Sequence, residues 1–274
     1  MTQNLNHKKF NTFRQGRVSS RAEVRRQLVM RNNLEKRFYK RLNTLFRKFA
    51  NVQMYLFKEF GIYEANIATR TLNEDLFPLM LSHYRRTFQA IYKSNEEKYT
   101  FGRKNEEAIV FGRSVDFEVV VSNYFNSRQL ILQGISTRMA NRISALIEQG
   151  RADNLTLSQI ASSVSTTFNR ISRSRAALIS RTETHSAASF ANHSYHGIVE
   201  RDLGVKMLKT WVATSDARTR SAHSSASGQT VDMSEDCIVG GAPMGYAGDS
   251  RGGVKNIINC RCVIVYADEQ DIVS

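Results

Sequence analysis

Proline is nearly missing from this chain: Pro78 and Pro243 are the only two in 274 residues, so little forbids long helices and no stiff proline-rich linker exists. Cysteine is scarce as well. Cys237, Cys260 and Cys262 all fall in the last quarter, an odd and clustered set unlike the even, dispersed cysteines of a secreted disulfide framework. They indicate synthesis in a reducing cytoplasm. No run of about 18 apolar residues is present, which argues against a transmembrane helix, and the polar start from Met1 to Phe10 lacks the apolar core of a signal peptide. The apolar fraction of 41% is ordinary, and the length suits one large domain or two small ones with a buried core.

Negative charge is what the N-terminal end lacks. Residues 1–50 hold 14 Lys and Arg against only Glu23 and Glu35, a net of +12, whereas the other 224 residues carry 25 against 23 and are nearly neutral. Such a block suits a polyanion such as nucleic acid, bound by its backbone because no base-reading motif accompanies the charge. The contact candidates are Arg14, Arg17, Arg21, Arg25, Arg26, Arg31, Lys36, Arg37, Lys40, Arg41, Arg47 and Lys48. A solvated helix face is the competing reading of the same residues.

Residues 1–20 are polar and without period, and read as a mobile basic N-terminus. From Arg21 to Phe60 there is no Gly or Pro, and Phe38, Leu42, Leu45, Phe49, Val52 and Leu56 draw one apolar stripe along a predicted helix. That stripe either docks on a partner or packs on the helices predicted within 72–95 and 126–149. The first of these carries Pro78, which kinks or starts it. The piece Asp116 to Tyr124 fits strand or helix. Thr156 and Gln159 form a capping box at a further helix start, with Leu155 and Ile160 placed for a hydrophobic staple. A break is expected near Asn169 to Ser172, and a long helix from Ser174 ends at Gly204, a left-handed cap. Eight of the 15 Gly lie from there onward, among short apolar runs. The expected fold is α+β: a mobile segment 1–20, a mainly helical body of long helices over 21–150, a helical connector over 151–204, and a small Gly-rich α+β or mainly β module over 205–274.

Within that module His223, Cys237, Cys260 and Cys262, with Asp216 as a further oxygen donor, are of the types that bind zinc, yet the single residue between Cys260 and Cys262 does not make the usual two-residue chelate turn. Packing thiols are the preferred reading and structural zinc the alternative. A nucleophile reading, with His223 as base to Cys260 or Cys262, lacks any protease signature. His185, His193 and His196 have no accompanying metal motif and read as packing histidines. The loop Gly240 to Asp249 lacks the Lys-Ser/Thr of a nucleotide P-loop and reads as a turn-rich surface loop.

The ordered set Arg181-Thr182-Glu183-Thr184, Trp211, Asp216 to His223, Gly228-Gln229, Gly240-Gly241, Tyr246 to Asp249 and Asn259-Cys260-Arg261-Cys262 resembles the phage minor head protein family, the head morphogenesis proteins typified by Mu protein F and SPP1 gene product 7. The resemblance covers roughly residues 155–266. It departs from many relatives at Arg220 to His223, where they carry Cys-x-x-Cys, and at Lys255 to Ile258, where they carry Pro-Pro-x-His. It implies a non-enzymatic minor capsid protein in the virion, at the portal vertex inside the head, with the portal protein, the major capsid or scaffold protein and viral double-stranded DNA as partners and no membrane. Assembly and DNA packaging or ejection are the implied tasks. Arg181, Glu183, Trp211, Asp216, Arg218 and Arg261 are then a structural lock, with Arg181 and Glu183 reaching into the C-terminal module. The rival is a DNA-acting hydrolase or nuclease that uses Asp216 and His223 with a Cys-bound metal.

Overall fold

The structure, a computed structural model, describes residues 20–100, 117–214 and 216–269. Residues 1–19 of the expected mobile N-terminus, with Arg14 and Arg17, lie outside them. Among the described residues four long helices come first: α1 Ser20–Phe60, α2 Ala65–Thr100, α3 Phe117–Ala152 and α4 Leu157–Leu203. Then follow β1 Met207–Val212, α5 Ser221–Ala226, β2 Thr230–Asp232, β3 Cys237–Val239, β4 Ala242–Met244, a 3-10 turn Ser250–Gly252, α6 Gly253–Ile257 and β5 Val263–Asp268. One antiparallel sheet has the order β2-β1-β5, and β3 pairs with β4 as a hairpin. The architecture is mainly helical α+β, as expected.

Local chemistry sets the helix ends. Gly61, at φ 69°, stops α1 while its amide donates to the Phe57 carbonyl at 2.8 Å, and Gly204, at φ 64°, ends α4 in the same left-handed conformation. The capping box forms: the Thr156 amide donates to Gln159 Oε1 at 2.9 Å and the Gln159 amide to Thr156 Oγ1 at 3.3 Å. Three details differ from the sequence reading. Pro78 lies inside an unbroken α2, the ambiguous stretch from Phe117 is helical, and α4 runs through 169–172 without a break. The polar residues there are tolerated because Ser172 Oγ donates back to the Asn169 carbonyl at 3.1 Å.

By contacts the described chain forms two units: residues up to 31, 88–100 and from 188 onward make one, and 32–87 with 117–187 the other. Each of α1, α2 and α4 contributes residues to both units.

In the helical unit Phe38, Leu42, Phe46, Ala50 and Met54 are buried at steps of four, with Leu72, Leu76, Met80, Ile143, Val164 and Phe168 from the other helices. Leu45 is only half-buried, and Val52 and Leu56 are exposed, so the predicted stripe is corrected at these three positions and kept at Phe38, Leu42 and Phe49. An i±4 row is inclined to the helix axis, and a core that follows it leaves a stripe of alternating four and three steps behind. Phe38 stacks on His83 at 3.8 Å between centroids, and Phe49 is buried, which makes these residues core rather than a docking surface. An ion pair lies deep in this unit. Arg128 Nη2 meets Glu183 Oε1 at 2.5 Å, and Tyr84 donates to Glu183 Oε2 at 2.6 Å.

In the other unit the sheet is closed by helix ends. Gln27 donates to the Ile264 carbonyl at 3.0 Å, Phe190 packs edge-on to Tyr246 at 5.4 Å, and His196 stacks on Tyr266 at 4.2 Å.

Candidate functional site

Two places collect the sequence-predicted residues. The first is α1. Arg21, Arg25, Lys36, Arg37, Lys40, Arg41, Arg47 and Lys48 are exposed, whereas Phe38, Leu42 and Phe46 are buried, so the helix separates a basic face from an apolar one. Lys40, Arg41 and Lys48 line an open cleft of about 470 Å³ with Thr44, Leu45, Asp75 and Leu79. Two candidates are corrected. Arg26 is committed to Glu23 at 2.8 Å and to the Ser94 carbonyl at 3.0 Å. Arg31 is buried, donating to Gln27 Oε1 at 2.9 Å and to the Cys262 carbonyl at 3.4 Å, and burial lowers its pKa to about 10. Arg26 is half-buried and already held by these partners, and Arg31 is out of solvent as well, so neither is placed to hold a phosphate. The signal was available, since Glu23, Gln27 and Arg31 stand at steps of four, seven residues ahead of buried Phe38.

The second place is the start of β5. Asn259 adopts φ 56°, and this left-handed residue turns the chain so that Cys260 and Cys262 both face α5. His223 on α5 answers them: its Nδ1 lies 3.3 Å from Cys262 Sγ and 3.6 Å from Cys260 Sγ. All three side chains are 2% exposed. Buried Trp211 stands edge-on to the imidazole at 6.1 Å. A hydrogen bond from Cys262, with His223 beside it, holds Cys260 well below the usual thiol range against the effect of burial, and the contact with Cys260 together with burial pushes Cys262 up.

Around this cluster Arg261 reaches the Asp216 carboxylate, which also accepts from the Arg218 amide at 2.9 Å. The Arg218 amide, then Arg261, hold the Asp216 carboxyl below its ordinary range. Arg218 contributes its amide more than its side chain, which is exposed and 3.7 Å from Asp216. Asp216 therefore serves the turn and Arg261; among the described residues no hydrogen bond joins it to His223. The Cys–His separation is that of a nucleophile and its base, but groups this buried are closed to a macromolecular substrate.

Two other expectations are corrected, that for Cys237 and that for Arg181 with Glu183. Cys237 does not join the cluster: it sits on β3 opposite Met244, near Lys209, and burial raises its thiol while Lys209 pulls it down. Arg181 meets Glu35 at 3.3 Å and Glu183 meets Arg128, so both act in the helical unit and not as a lock in the C-terminal module. Burial works against the Arg128 charge, but Glu183, Tyr124 and Tyr84 outweigh it and its pKa rises. His196 Nδ1 donates to the Asn192 carbonyl at 2.7 Å, a packing histidine. In the loop 240–249 the Gly245 amide donates to Asp249 at 2.9 Å and Arg251 bridges Asp249 and Asp236, so a carboxylate of the chain takes the amide that a phosphate would need. Lys209, buried with Nζ donating to the Met233 carbonyl at 3.0 Å, was missed, as was Arg128. Arg128 stands four residues from both Tyr124 and Leu132, on the buried face of α3.

Residues 141–265 match the family described as Phage Mu protein F like protein. The chain is 28% identical over 275 aligned positions to the minor head protein GP7 of Bacillus phage SPP1, an alignment covering 94% of this chain and 85% of that one. No solved structure matches. No helix among the described residues is long and apolar enough to cross a membrane. The matched residues begin within α3, take in all of α4, Trp211, Asp216 and His223, and reach β5 through Asn259-Cys260-Arg261-Cys262, so over this stretch the chain is similar to the Mu F-like phage head proteins.

Proposed function

We propose that the protein is a phage minor head protein that works at the portal vertex inside the head, docking on the portal protein and holding packaged double-stranded DNA by its backbone, in assembly and in packaging or ejection. The role is structural rather than enzymatic. The observation that carries the reading is the exposed basic face of α1. Lys36, Arg37, Lys40, Arg41, Arg47 and Lys48 lie within 13 residues, and no carboxylate forms an ion pair with them among the described residues. At a rise of about 1.5 Å per residue these cations occupy about 18 Å of helix, a length over which one DNA strand presents about five phosphates. Portal docking is supported by an apolar patch at the α1–α2 turn. Val52, Leu56 and Phe60 align at steps of four, and Tyr55 and Ile62 flank them; Phe60 is 69% and Tyr55 65% exposed.

Deleting residues 1–50 would remove Phe38, Leu42 and Phe46 from the core, so DNA contact has to be tested on the surface. The full chain and a variant with all six cations changed to Ala should be compared on duplex DNA across a salt series. Wild-type affinity is expected to fall steeply, and the variant to lose about 0.9 of log–log slope for each phosphate contact removed. Equal slopes in two folded proteins would contradict the reading.

A further inference from the structure

We propose that His223 Nδ1, Cys260 Sγ and Cys262 Sγ hold a zinc ion in the C-terminal module. The donors of these three residues all lie within 4.8 Å of one another. Zinc bonds of about 2.3 Å to sulfur and about 2.0 Å to nitrogen, set tetrahedrally, require N···S edges of about 3.5 Å. The observed edges are 3.3 and 3.6 Å. The same nitrogen faces both sulfurs, which one S–H···N contact would not require and a shared ion does. Two thiolates and a neutral imidazole around a divalent ion sum to zero charge, so the loaded site adds no net charge to an interior where all three residues are 2% exposed.

The metal-free arrangement is poor for His223. Its Nδ1 has only weak sulfur partners, and Nε2 has none among the described residues. Sulfur and imidazole donors favour zinc over the hard cations that need oxygen. No fourth Cys, His, Asp or Glu among the described residues joins the group. The ion ties α5 to the residues before β5 across 37 and 39 positions of sequence. Where sequence spacing favours packing thiols, the turn at Asn259 supplies the convergence that a chelate motif supplies elsewhere.

The full chain, produced in zinc-sufficient cells and purified without chelator or polyhistidine tag, should carry about one zinc per chain by elemental analysis. A strong chelator should lower the melting temperature, and added zinc should restore it. Cobalt exchanged into wild type should give the charge-transfer absorption of cobalt–thiolate bonds, a readout that needs no variant to fold. Cys260→Ala, Cys262→Ala and His223→Ala should each drop the zinc content below about a tenth of that in wild type, whereas Cys237→Ala should retain it. Wild type that stays metal-free after equilibration with zinc, cobalt-loaded protein without thiolate absorption, or zinc lost from Cys237→Ala but kept by Cys260→Ala would overturn the assignment.

Discussion

Changing Glu183 to Ala is expected to destabilise the helical unit by about 3–5 kcal/mol, because it leaves the Arg128 guanidinium buried without its anion. Both partners are 3% exposed, and the pair is a fork: Nη2 to Oε1 at 2.5 Å and Nε to Oε2 at 3.2 Å. Tyr84 completes it, losing its own acceptor in the variant. Among the described residues the neighbours that could face Arg128 in its place are Tyr124 and Tyr84, phenols in a core where burial, then Glu183, already raises the Tyr84 pKa. The double change Arg128→Met with Glu183→Leu should recover most of the loss, as apolar replacements of buried pairs often do. Urea unfolding followed by circular dichroism measures both. Trp211 fluorescence reports separately on the other unit. A Glu183→Ala protein within 1 kcal/mol of wild type, a threshold set by the scale of exposed pairs, would show that the pair is not the anchor described.

Acid should weaken the fold over a window in which surface carboxylates are still charged. His83, stacked on Phe38 and hydrogen-bonded to Thr184 at 2.9 Å, is lowered to about 3, by burial first and then by Arg41 and Arg86. His193 is lowered to about 4, again by burial, with Lys209 adding to it. Both are neutral when folded, whereas the unfolded chain takes up protons from about pH 6.5 downward, so the unfolded state holds more protons throughout the interval. Stability is therefore fully present above about pH 6.5 and falls as the pH drops toward the folded values. Each histidine contributes about 1.4 kcal/mol per pH unit, or about 2 kcal/mol between pH 6.5 and 5. Stability measured from pH 7 to 5 should decline accordingly, and His83→Gln should flatten the slope by about 1.4 kcal/mol per unit. A stability flat across that range would contradict the buried neutral state of both residues.

The long helices were legible because α1 lacks Gly and Pro from 20 to 60 and because the capping box and Gly204 mark ends through local hydrogen bonds and backbone conformation alone. What local chemistry does not determine was less readable. The register of the core on α1 drifts along steps of four, set by the helices it meets, and this moved Val52 and Leu56 to the surface. Composition treats Arg31 and Arg128 like any surface arginine, although both are buried, and only their place on an apolar face separates them. The meeting of His223 with Cys260 and Cys262, and the exclusion of Cys237, follow from the pairing of β1 with β5 and of β3 with β4, contacts between residues far apart in sequence. Spacing alone therefore grouped Cys237 with three residues that it does not meet.

The most direct measurement of the proposed role is site-specific photocrosslinking in assembled particles, with the probe placed at exposed positions 41 and 55 in turn. The account predicts crosslinks to packaged DNA from position 41 on the basic face of α1, and to the portal protein from position 55 in the apolar patch. Crosslinks from both positions to the major shell protein alone, with neither DNA nor portal captured in particles full of DNA, would contradict it.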